Sequence, residues 1–200
     1  MELHEILHHK TAAVAATLPG RIEKKIRGSM NLSVDGAVLY VVKKMLGEDC
    51  KVCLNIGVGH GGGMAVALAA NCPCVHVGVD PFDRTCELTG IGITRDQAEL
   101  NINANNPHAH EYHLIQGKPT DKAVIKRVGD EYPVVDLLYI DGNRSKYQAR
   151  KALTSYRANV RAGGIIVVDG HGGKLKPGAR LAREWKTVGI LGDTLILERK

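Results

Sequence analysis

Aromatic side chains are scarce here. Among 200 residues there is one Trp and one Phe, and Phe, Trp and Tyr together make up 4% of the chain. A surface built to stack unpaired bases is therefore not expected, because such surfaces rely on aromatic platforms. No Asn/Asp-Pro-Pro-Tyr/Phe segment is present either, so nucleic acid is disfavoured as a partner. No apolar run approaches the roughly 18 residues of a membrane span. The start, Met1 to Leu7, lacks the basic-then-apolar layout of a secretory signal, so a cytoplasmic protein with no membrane partner is expected. Internal repeats and linkers are also missing. Cysteine is present at an odd count of five, which argues against a disulfide framework. Cys50 and Cys53 form a CxxC with Cys72 and Cys74 downstream, but these lie at the two ends of one strand–helix unit. They are expected to be reduced structural thiols rather than a metal site.

Glycine and basic residues are plentiful. An apolar run, Val52 to Ile56, breaks into a turn containing Gly57, Gly59, Gly61, Gly62 and Gly63. An apolar helical stretch follows, and a second apolar run from Val75 to Val79 ends on Asp80. Strand, glycine turn, helix, strand and acid form a site for a ribose-bearing cofactor at the edge of a parallel sheet. The turn satisfies the GxGxxG of dinucleotide-binding domains and the looser GxGxG of S-adenosylmethionine-binding domains. At this point an NAD(P)-dependent oxidoreductase and a methyltransferase both remain open, as does a non-catalytic protein that retains the cofactor pocket.

Strands and helices alternate from Lys51 onward, which predicts an α/β fold with a Rossmann-like, mainly parallel twisted sheet covered by helices on both faces. Expected strands are 52–56, 75–79, 112–116, 135–140 and 164–168, with a last strand at 193–198 and a short one at 187–191. Expected helices are 62–71, 94–105, 119–129, 145–160 and 178–187, the second opened by a capping box at Thr94 and Gln97. Residues 1–50 read as an N-terminal helical cap, with helices at 2–17 and 33–46 and a short basic piece at 21–27. Residues 51–200 read as one compact cofactor-binding domain.

The second half separates the two cofactors. Val134 to Asn143 is a strand ending in Ile140-Asp141-Gly142, and Val160 to Asp169 carries Ala162-Gly163-Gly164 before an apolar strand ending in an acid. This combination resembles the class I S-adenosylmethionine-dependent methyltransferases, and within them the small-molecule O-methyltransferases of the macrocin and catechol type. The resemblance covers roughly residues 51–185. It implies methyl transfer from S-adenosyl-L-methionine to a hydroxyl, or less favourably an amine, of a small molecule.

Carried over by position, the resemblance places Gly57, Gly59 and Gly61 beneath the cofactor. Asp80 falls on its ribose, Gly117 and Lys118 against its adenine, and Asp141 at its methionine end. Asn55 stands where the family has an acid. Arg144 stands where a histidine is common after the Ile-Asp-Gly. Asp141 and Asp169 match the carboxylates that hold Mg2+ in catechol-type enzymes, but Gly170 replaces the third ligand. His171, beside Asp169, is the expected proton acceptor, with Asp141 and Asp169 as the other catalytic candidates. The basic excess is concentrated between Arg144 and Lys186, where Asp169 and Glu184 are the only acids. Arg144 and Lys174 are therefore expected to bind an anionic group on the acceptor. The sequence is compatible with a homo-oligomer.

Overall fold

The computed structural model describes residues 3–16, 34–85, 90–141, 145–170, 175 and 179–200. Two helices come first, α1 (Leu3–Ala15) and α2 (Val34–Leu46). Strand β1 (Val52–Ile56) then leads through the glycine turn into α3 (Gly62–Ala69) and β2 (Val75–Asp80). Next come α4 (Arg95–Ala104), β3 (Tyr112–Gln116), α5 (Lys122–Glu131) and β4 (Val135–Ile140). The chain closes with α6 (Lys146–Tyr156), β5 (Val160–Val168), α7 (Ala179–Glu184), β6 (Trp185–Leu191) and β7 (Thr194–Arg199).

The strands form one sheet in the order β3-β2-β1-β4-β5-β7-β6. The pairs β1–β2, β1–β4, β2–β3 and β4–β5 are parallel, while β7 runs antiparallel to both β5 and β6. The order reverses between β1 and β4. At such a switch point the two following loops diverge to opposite sides and leave a crevice at the carboxyl ends.

Alternation along the strands sorts the core into two faces. Leu54, Ile56, Leu138, Ile140 and Val168 pack on one face, against Val128 of α5 and Ala149, Ala152, Leu153 and Tyr156 of α6. Cys53, Leu137, Tyr139, Val167 and Ile196 pack on the other, with Ala65 and Val66 of α3. Leu7 of α1 and Val38, Leu39, Val41 and Val42 of α2 belong to that second cluster. The N-terminal helices thus supply part of the layer covering this face.

Single polar residues pin the edges. Asp136, 3% exposed, accepts from the Lys51 and Val52 amides at 2.8 Å each and pairs with Arg161, fastening the starts of β1, β4 and β5. Thr94 caps α4 by accepting from the Gln97 amide at 3.2 Å. The Gln97 side chain turns instead to Asn101, so only half of the expected capping box forms.

Several boundaries differ from the sequence expectation, α5 among them, which covers Lys122–Glu131 rather than 119–129. The helix expected to reach 160 ends at Tyr156 and tightens into a 3-10 turn over Arg157–Asn159. Strand β5 begins at Val160 rather than 164, with a register shift opposite Val135/Leu137 that absorbs the additional residues. The last helix stops at Glu184, because Trp185 to Leu191 pair with β7, with one register shift between Thr187 and Gly189. Ladder hydrogen bonds to a strand near the end of the chain override local helical propensity there. The short basic piece expected at 21–27 lies outside the described residues.

Candidate active site

Beside the switch point is a cavity of about 350 Å³. Ile56 and Gly57 line it from β1, Asp80, Pro81 and Arg84 from the end of β2, and Lys118, Pro119 and Thr120 from the loop after β3. Ile140, Gln148, Ala149 and Ala152 complete its wall. The volume and the mixture of apolar wall with few polar groups are those of a small-molecule site.

The glycine turn bounds the cavity because its backbone conformation is closed to other residues. Gly61 has φ of +92°, and a Cβ there would lie 2.9 Å from the Ala98 carbonyl oxygen and 3.0 Å from Ile102 Cγ1. This glycine lets α4 press directly on the turn. Asp80 ties the turn to β2. Its Oδ2 accepts from the Gly59 amide at 3.0 Å and from Arg84 Nη2 at 3.3 Å, and its Oδ1 accepts from the Phe82 amide at 2.8 Å. The Asp80 side chain is fully buried, yet the carboxylate still borders the cavity.

A second group of polar side chains gathers on the other face, at the ends of β4 and β5. The Asp141 amide donates to the Ile56 carbonyl and the Asp169 amide to the Ile140 carbonyl, both at 2.9 Å, so β1, β4 and β5 end in step. The Tyr139 hydroxyl donates to Asp169 Oδ2 at 3.3 Å, and Tyr139 also pulls the Asp141 pKa downward. Asp35, from α2, is near enough to Asp169 to disfavour its ionisation and is itself held by the Thr194 hydroxyl.

Crowding controls the protonation of these acids. Burial, then repulsion from Asp141 and Asp35, pushes Asp169 up to about 9. Burial, then Asp35, raises Asp141 to about 6, against a downward pull from Tyr139 and Arg84. Burial and the same three carboxylates hold the Tyr139 phenol well above its ordinary range. At neutral pH Asp169 is therefore protonated, while Asp141 is largely ionised.

Of the residues expected at the cofactor, Gly57, Asp80 and Lys118 line the cavity, and Gly59 is held by Asp80. Gly117 directly precedes Lys118, with φ of +152°. Gly61 supports the turn without bordering the cavity. Asn55 does not border it either. Its side chain is on the opposite face, close beneath Gly63 and beside Tyr139, with both amide atoms buried and unpartnered. Asp141 and Asp169 lie near each other at the ends of β4 and β5. His171, Arg144 and Lys174 lie outside the described residues.

Asp35 and Arg84 are among the residues of this region that were not singled out from the sequence. Arg84 bears the only available signal, a basic residue four positions beyond Asp80. Asp35 gives none, because it reaches the acids solely through the packing of α2.

Comparison with known proteins agrees with this geometry. A family model described as a methyltransferase domain matches residues 54–170, and the chain belongs to that family. Comparison with curated protein sequences gives no significant match.

Solved structures resemble it at the level of the fold. MycE, a methyltransferase of the mycinamycin biosynthetic pathway solved with Mg and SAH, aligns over 94% of this chain with 16% identity and a TM-score of 0.59. The alignment spans 53% of MycE, so this chain corresponds to about half of that protein. CalS11, a calicheamicin methyltransferase, aligns over 97% of this chain and 91% of its own at 13% identity and a TM-score of 0.60. A Staphylococcus aureus protein assigned as a caffeoyl-CoA O-methyltransferase aligns over 99% and 97% at 15% identity and a TM-score of 0.55. Among the described residues no helix is long and apolar enough to cross a membrane.

Proposed function

We propose that this methyltransferase transfers a methyl group from S-adenosylmethionine to a hydroxyl of a small molecule. The observation carrying this reading is the convergence, at one switch point, of the glycine turn with the carboxylates Asp141 and Asp169. The relatives support it, since SAH accompanies MycE and an O-methyltransferase is among the similar folds.

The residues present fit the cofactor. The apolar walls from Ile56, Ile140, Ala149 and Ala152 suit a flat base, and Lys118 and Thr120 add polar groups beside it. Asp80 faces the same space with a carboxylate whose remaining acceptor capacity suits ribose hydroxyls. Gly57 would pass under the methionine portion, and Asp141 would attract its ammonium. When bound, the cofactor supplies an electrophilic methyl on a sulfonium.

The chain's own contribution is alignment and proton control. Asp141, raised to about 6, is a stronger base than an ordinary carboxylate and still ionised at neutral pH. Tyr139 donates to Asp169 and steadies its orientation. Arrival of positive charge beside Asp169 would lower its affinity for its proton and free it to accept one from the acceptor hydroxyl. His171 is the alternative acceptor by its position in the sequence.

Asp141 and Asp169 are hard oxygen donors, and repulsion among three carboxylates is what a dication relieves. These two would hold a Mg2+ ion, which supplies charge neutralisation to a developing oxyanion. Among the described residues no group of three or more could hold a metal ion, so remaining ligands would come from water, the acceptor or other segments. Arg144 and Lys174 are the basis for an anionic acceptor, and reduced thiols fit a cytoplasmic setting.

The test is calorimetry with S-adenosylhomocysteine, NAD and NADP, followed by transfer of labelled methyl to a panel of hydroxyl and amine acceptors. Tight binding of S-adenosylhomocysteine alone and labelled ethers are expected. Binding of NAD(P) without S-adenosylhomocysteine would overturn the reading.

A further inference from the structure

The Asp80 carboxylate has fewer acceptor positions to spare than its place on the cavity wall suggests. A carboxylate offers about two acceptor positions on each oxygen. Oδ2 uses both, one for the Gly59 amide at 3.0 Å and one for Arg84 Nη2 at 3.3 Å. Oδ1 accepts from the Phe82 amide at 2.8 Å and retains one. A ribose presents two neighbouring hydroxyls, and holding both across a carboxylate takes one position on each oxygen. The second hydroxyl therefore meets Arg84.

The three donors are not held alike. Gly59 and Phe82 donate from backbone. Gly59 lies in the glycine turn, and Phe82 is buried with φ of +53°, a left-handed conformation that bends the chain between Asp80 and Arg84. Arg84 donates instead from the end of a long side chain that is 39% exposed, across the longest of the three distances. Its own backbone is anchored separately. The Arg84 carbonyl accepts from the Ile93 amide at 2.7 Å, and Thr85 and Gly92 form an antiparallel bridge. The guanidinium can thus leave Asp80 for solvent by rotating its side chain, with the backbone around it in place.

Arg84 also borders the same cavity as Asp80 and Gly57, so its position on Oδ2 lies on the cofactor's side of the carboxylate. We propose that Arg84 is a specificity-determining residue that holds the Oδ2 position of Asp80 and yields it to the second hydroxyl of the cofactor ribose. One donor replaces another in this exchange, so the buried carboxylate is never left short of a partner. A ribose with a single hydroxyl fits the open position on Oδ1 and leaves Arg84 where it is. Arg84 thereby sets how strongly the site prefers an intact ribose diol, because the second hydroxyl gains only what exceeds the ion pair it breaks. This role rests on the cofactor proposed above.

Calorimetry with S-adenosylhomocysteine, followed by its displacement with adenosine and with 2′-deoxyadenosine, tests the exchange. Arg84→Ala is expected to tighten S-adenosylhomocysteine and adenosine by about twofold to fivefold, the range for an ion pair this exposed. The affinity for 2′-deoxyadenosine should not change. Raising the ionic strength weakens the Arg84–Asp80 pair. Adenosine should then bind the wild type more tightly, while 2′-deoxyadenosine does not, and this reading stands even if the variant fails to fold. Weaker or unchanged S-adenosylhomocysteine binding in Arg84→Ala, or equal tightening of adenosine and 2′-deoxyadenosine, would overturn the role of Arg84 and leave the cofactor in place. Absence of S-adenosylhomocysteine binding to the wild type would remove the cofactor, and the role of Arg84 with it.

Discussion

Asp35 stands close enough to Asp169 to disfavour its ionisation, although one comes from an N-terminal helix and the other from the end of β5. Burial and then repulsion from neighbouring carboxylates keep Asp169 protonated at neutral pH. The Thr194 hydroxyl holds Asp35 from its far side, and the Tyr139 hydroxyl holds Asp169. The acids at the end of the sheet thus respond to pH as a connected group, with Asp141 beside them.

The sign of the pH dependence follows. Folded Asp169 keeps its proton to about pH 9 and folded Asp141 to about pH 6. Both release it near pH 4 when unfolded. The folded state binds more protons in between, so their contribution is complete below about pH 4 and is lost as pH rises through 6 and 9. Thermal melts in chelator should show declining stability over that range. Asp169→Asn, which retains a hydrogen-bond donor, should flatten the decline and stabilise the protein by on the order of 1 kcal/mol at pH 8.

Magnesium should oppose the same repulsion. Millimolar Mg2+ at pH 8 is expected to raise the melting temperature of the wild type by a few degrees, through mass action on the folded state. The increase should vanish in Asp141→Asn and Asp169→Asn. An equal rise in all three proteins would remove these carboxylates as its ligands.

Gly61 and Asp80 test the turn. Gly61→Ala forces a side chain to φ of +92° and into the Ala98 carbonyl. Urea titration should report a loss of about 2–4 kcal/mol. Asp80→Ala leaves the Gly59 and Phe82 amides without their acceptor. S-adenosylhomocysteine affinity is expected to fall at least about tenfold, the equivalent of one lost charge-assisted hydrogen bond, measured by calorimetry.

Arg84 reaches across this space, bonded to Asp80 and pulling Asp141 downward. Arg84→Ala should raise the Asp141 pKa further. The acidic limb of the kcat/KM profile should then move to higher pH, with the basic limb in place. An unmoved acidic limb would exclude Asp141 as the group that must be ionised.

Much of the frame was legible because short apolar runs and glycines act locally. Val52 to Ile56 and Val135 to Ile140 are strands at the predicted positions, and the turn at Gly57 follows directly from the first. The end of β6 was also visible, but Trp185 to Lys186 read as helix, since only the partner strand β7 makes them extended. Asn55 shows the same limit at the site. Its position in the motif suggested cofactor contact, whereas the alternation of β1 turns its side chain to the face away from the cavity.

The sequence by itself determined the order of strands and helices, the glycine turn and the acids that end β2, β4 and β5, because each rests on neighbouring residues. Tertiary structure alone decided which distant side chains join them. Packing of α2 on the sheet brings Asp35 near Asp169 and Lys43 to the Cys72 carbonyl, and burial then sets the charge each group can hold. Desolvation depends on every element packed around a side chain, and no local pattern of residues encodes it.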